Sequence, residues 1–156
     1  MQKHHLIFLH SAENNEPVVL NSEFILYATK NDDDDTNVVC YDYYELSIIE
    51  TETGINETPE KIFTLVPKED FVLLHDAETN KVILVRVAAI ISIISQDGVT
   101  HVTLVGDNVL EVNETPMRIR DIIVTGKQVR ALKPAQAKPT KKDKNKEDSK
   151  SPTADA

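Results

Sequence analysis

The sequence predicts a mainly β protein with short helices: two pseudo-repeated small β-sheet or barrel-like modules, each ending in a capped helix, and a disordered C-terminal tail. Three observations lead there. The chain repeats itself, since Leu9-His10-Ser11-Ala12-Glu13-Asn14-Asn15 returns as Leu74-His75-Asp76-Ala77-Glu78-Thr79-Asn80, and Asn56-Glu57-Thr58-Pro59 returns as Asn113-Glu114-Thr115-Pro116. Its interior must be aliphatic, because 40% of residues are hydrophobic but only 5% aromatic, with no Trp, and the β-branched residues that remain favour strands. From about Lys133 onward no apolar side chain is larger than Ala, so that segment cannot bury enough surface to offset its ordering entropy.

The elements follow in order. His5 to His10 reads as a strand, Ala12 to Pro17 as a polar turn and Val18 to Leu20 as a second strand, matched in the second copy by Phe71 to His75, Ala77 to Lys81 and Val82 to Val85. A third strand, entered through a bend, fits Phe24 to Ala28 and Ala89 to Ile93. The fourth runs over Asn37 to Tyr41 and Thr100 to Val105, the latter with the period-two alternation of a half-buried strand. Between third and fourth strands the first copy carries Asp32 to Asp35 where the second has the tight Gln96-Asp97-Gly98. A fifth strand fits Glu45 to Ile49 and Val109 to Val112, with Glu50 to Ile55 as inserted length in the first copy. Thr58 and Thr115 suit the N-cap of a helix and Pro59 and Pro116 its first position. Pro67 and Gly126 then stop the two helices. The implied units are residues 1–67, 68–132 and the tail, 133–156.

The second copy, from Phe71 to Val124, resembles the small flagellar and swarming-motility proteins of the FlbD/SwrD type, whose unit runs strand, turn, strand, apolar segment, Thr-rich strand, turn, strand, helix. Val102-Thr103-Leu104-Val105-Gly106-Asp107-Asn108-Val109-Leu110-Glu111-Val112 carries the likeness. The resemblance implies the fold and a place in motility machinery.

No constellation for catalysis, cofactor binding or metal binding emerges. Asp32 to Asp35 could attract a hard cation, but counting from Asp32 puts Asn37 and Tyr43 where a calcium loop needs Gly and Glu. The loop reads as a solvated acidic turn. His10 and His75 hold equivalent positions without a third ligand and read as polar-face or turn residues, as does His101; His4-His5 is a terminal pair. Cys40, the single cysteine, sits in a strand context with no neighbouring cation to activate it. No Gly-x-Ser-x-Gly elbow is present, and four glycines in all leave no phosphate cradle.

The formal charge of −9 is uneven, with +3 from Lys133 onward and −12 on residues 1–132. An acid-faced body repels phosphate backbones, so nucleic acid is disfavoured as a partner apart from weak contact through the tail. The longest apolar run, Val82 to Ile94, is interrupted by Arg86 and Ser92, and no apolar leader follows Met1, so neither a membrane span nor a signal peptide is expected. Together these features predict a non-enzymatic structural or adaptor protein, cytoplasmic or part of an intracellularly assembled particle. Its expected partners are proteins or copies of itself, in a motility apparatus or a virus particle. The alternative is a regulatory or sequestering protein holding a small molecule in the groove between the copies.

Overall fold

The computed structural model describes residues 5–51 and 54–126. The tail, 133–156, lies outside the described residues, as does His4. Element order is β1 (Leu6–His10), β2 (Pro17–Asn21), β3 (Ile25–Lys30), β4 (Thr36–Asp42), β5 (Ser47–Glu50), α1 (Pro59–Leu65), β6 (Phe71–His75), β7 (Val82–Arg86), β8 (Ile90–Gln96), β9 (Val99–Leu104), β10 (Asn108–Val112) and α2 (Pro116–Thr125). The fold is mainly β with two short helices, as the composition and alternation predict. No helix among the described residues is long and apolar enough to cross a membrane.

The strands form three antiparallel sheets: β1-β2, the five-stranded β5-β4-β3-β7-β6, and β10-β9-β8. Residues 1–67 and 68–132 both contribute to the central sheet, because β3 pairs with β7 through Tyr27–Val85, Ala28–Leu84 and Thr29–Ile83. The bend ahead of the third strand is a single 3₁₀ turn, Ser22–Phe24 before β3 and Val87–Ala89 before β8. Each of these strands then carries an irregularity two residues from its start, between Ile25 and Tyr27 and between Ile90 and Ser92.

Leu26, Val39, Val72, Leu74, Val85, Val102, Leu104 and Ile119 are buried in one cluster that draws on the central sheet, the three-stranded sheet and α2. Burying each such side chain contributes roughly 1.5–3 kcal/mol. Both helices start as the sequence predicts: the Thr58 hydroxyl accepts from the Lys61 N–H and the Thr115 hydroxyl from the Arg118 N–H, with Pro in the first turn. They end differently. Val66 precedes Pro67 and is therefore driven into extended backbone, whereas Gly126 takes the left-handed conformation (φ 72°) and donates back to Ile122 O at 2.8 Å.

Candidate functional site

The tetrapeptide Asn-Glu-Thr-Pro does more than begin a helix. At its first residue, the Asn56 side-chain amide donates to Ser11 O and Asn15 Oδ1, and Asn113 donates likewise to Asp76 O and Asn80 Oδ1. Asn15 and Asn80 both stand at φ 62°, a conformation Asn tolerates, so the same turn is pinned the same way twice. At the second residue, Glu57 accepts from the His10 backbone N–H (2.9 Å) and lies 2.7 Å from His10 Nδ1. Glu114 accepts from the His75 N–H (3.0 Å) and lies 2.6 Å from His75 Nδ1. An ionised carboxylate only accepts, so Nδ1 carries the hydrogen in both.

His10 and His75 are therefore partners of a carboxylate, each fastening the end of a strand to the entry of a helix. The sequence reading missed this role of Glu57 and Glu114, although their recurrence in the repeated Asn-Glu-Thr-Pro was the available signal. His101 lies 3.9 Å from Glu111. Among the described residues no group of three or more His, Cys, Asp or Glu could hold a metal ion. In the acidic loop, Asn31 donates to the Asp35 carboxylate at 2.6 Å and Lys30 lies 3.7 Å from Asp34. Gly54 lies so close that a Cβ there would collide with the Asp35 carboxylate.

Burial pushes the Cys40 thiol up to about 11, with the nearby Arg86 charge only partly opposing it, which leaves no thiolate at neutral pH. Arg86 itself is buried at the seam between β7 and β3. Its Nε donates to Ile25 O at 2.7 Å, its Nη2 to Ser22 O, and its guanidinium lies 4.7 Å from the Phe71 ring centre. Burial lowers its pKa from the ordinary arginine value, and Tyr43, Asp70 and Glu23 oppose that shift. This is a structural arginine, already satisfied.

Positive charge collects elsewhere in the sequence. Residues 117–146 hold ten Lys or Arg against Asp121 and Asp143, a charge of +8, while residues 1–116 carry −15. Arg118 and Arg120 lie on α2, where the sequence turns basic. A cation near a helix N-terminus opposes the macrodipole. The Nε and Nη2 of Arg118 are buried and find no hydrogen-bond partner among the described residues, whereas Arg120 is exposed.

No family model and no curated protein matches the chain. Among solved structures, the LytTr DNA-binding domain of a methyl-accepting/DNA response regulator from Bacillus cereus is similar: 15% identity, TM-score 0.51, covering 78% of this chain and 94% of that one. At that identity the likeness establishes a shared fold. It also corrects two expectations. The structural or adaptor reading, with its small-molecule alternative, rested on a repeated β body without a catalytic set, and the exclusion of nucleic acid on the acidic charge of that body. A DNA-binding domain has this architecture. Net charge bears on solubility and non-specific attraction but not on fold, and here the average of −9 conceals a sharp segregation of sign.

Proposed function

We propose that this chain is a non-catalytic DNA-binding module whose phosphate contacts begin on α2. The observation that carries the reading is the fold shared with a LytTr DNA-binding domain. The charge distribution supports it and gives it a direction. A surface of −15 over residues 1–116 keeps most of the body away from a phosphate backbone, while the +8 stretch that starts at Arg118 is attracted to it. Arginine suits such a contact because its planar fork meets phosphate oxygens two at a time. On α2 it is Arg120 that is exposed to make it.

The test is fluorescence anisotropy of the full chain with duplex DNA over a salt series. Binding is expected to weaken as salt rises, with a log–log slope of about −0.9 per phosphate contacted. The Arg120→Glu variant is expected to lose affinity several-fold and to show a slope shallower by about one, with an unchanged thermal melt. Absence of binding at low salt would overturn the reading.

A further inference from the structure

The two halves of the body use the same strands differently. Equivalence is fixed by geometry: the 3₁₀ turns at Ser22–Phe24 and Val87–Ala89, the strand irregularities at Ile25/Tyr27 and Ile90/Ser92, and the positive-φ Asn15 and Asn80 are all 65 positions apart. On that offset β8 is the counterpart of β3, and β2 the counterpart of β7. Yet β3 and β7 pair with each other in the centre of a sheet, whereas β8 and β2 each end one.

Their side chains show what the missing neighbour would cover. Val19 on β2 is 48% exposed where its counterpart Leu84 is 0%, and Ile91 on β8 is 65% exposed where Leu26 is 0%. Exposed strands with apolar residues invite pairing and are ordinarily protected by Lys, Pro or a covering element. β8 reads Ile-Ile-Ser-Ile-Ile-Ser-Gln and has no charge or Pro, while β2 has Pro17 only at its first position.

We infer that the β2 edge of one copy of this chain adds to the β8 edge of a second, repeating between molecules the β3–β7 seam that the fold already makes within one. Transposing that seam by 65 positions gives the register: Leu20 opposite Ser92, Val19 opposite Ile93, and Val18 opposite Ile94. The two edges are different surfaces, so the contact is head-to-tail. It is also weaker than its template. Asn21 stands where Arg86 stands in β7, and its side chain accepts from the Glu23 N–H, so no guanidinium reaches across to the neighbouring strand's carbonyls.

Light scattering of the full chain without DNA tests the association separately from the proposed function. The weight-average mass is expected to rise with concentration beyond the monomer. Val19→Lys/Ile94→Lys should hold it at the monomer with an unchanged circular dichroism spectrum, and Asn21→Arg, which restores the missing anchor, should tighten association roughly tenfold. In a Cys40→Ala background, Val19→Cys protein mixed with Ile93→Cys protein is expected to form an intermolecular disulfide under mild oxidation. Val19→Cys mixed with Ser92→Cys is not, because a one-residue slip turns the side chain to the other face. A mass constant at the monomer value at every concentration, or equal cross-linking in both mixtures, would overturn the inference.

Discussion

The His75–Glu114 and His10–Glu57 clamps have the same atoms in the same arrangement, but the first is buried and the second is wet. Side-chain exposures are 16% and 1% for His75 and Glu114, against 48% and 14% for His10 and Glu57. Both Glu residues accept the same backbone N–H and the same imidazole at distances equal within 0.1 Å. The local chemistry is thus held constant while the solvent changes. What differs is the cost of breaking each clamp, since water can replace a lost partner at His10 and has little access at Glu114.

Removing the carboxylates one at a time should separate the two sites. Glu114→Ala strands the His75 backbone N–H and imidazole beside an emptied, buried position, and is expected to cost about 3 kcal/mol. Glu57→Ala exposes its partners to solvent and is expected to cost about 1 kcal/mol. Urea unfolding of the two variants measures both, and equal losses would show that burial does not set the worth of the clamp.

Most of the local structure was legible. Alternation in Thr100 to Val105, the turn at Gln96-Asp97-Gly98 and the Thr-Pro helix starts each act within a few residues, so a linear reading captures them. The clamps were half legible. His10 and His75 stood out as a recurring pair, but each is joined to a Glu 47 or 39 residues away, and no local rule spans that distance. The β3–β7 seam and Arg86 were hidden for the same reason: Arg86 reads as an interruption of an apolar run until Ile25 and Ser22 arrive beside it. Charge was divided at Lys133, where the composition changes, whereas its sign turns earlier, near Met117 at the start of α2.

The helix caps offer a control in which the hydrogen bonds do not differ. Thr58 and Thr115 each accept an N–H three residues on at 3.1 Å, and both hydrogen bonds are exposed. Thr58→Ala and Thr115→Ala are therefore expected to cost the same, about 1 kcal/mol each, by thermal or urea unfolding. A larger loss at Thr115 than at Thr58 would mean that the second half is more sensitive to any change, and the contrast between the carboxylates would then say nothing specific about burial.

The smallest effect is also the most diagnostic of the wet clamp. Burial works to raise the Glu57 pKa, but the hydrogen bonds from His10, one from its own backbone, and the attraction of the imidazole together hold it below the ordinary glutamate value. A carboxyl with a depressed folded-state pKa stabilises the fold fully above its unfolded pKa, about 4.3, and loses that contribution as pH falls through the folded value. The stability difference between the native chain and Glu57→Gln should accordingly stay level around neutrality, begin to shrink near pH 4.3 and flatten once Glu57 is protonated. Urea unfolding at a series of pH values checks this, and a difference that grows on acidification would mean that the clamp favours the neutral carboxyl. Because His10 is half exposed, the change is expected to stay below about 1 kcal/mol, the scale of a solvent-screened pair. The exposed clamp thus fixes the geometry of the β1 turn more than it stabilises the fold.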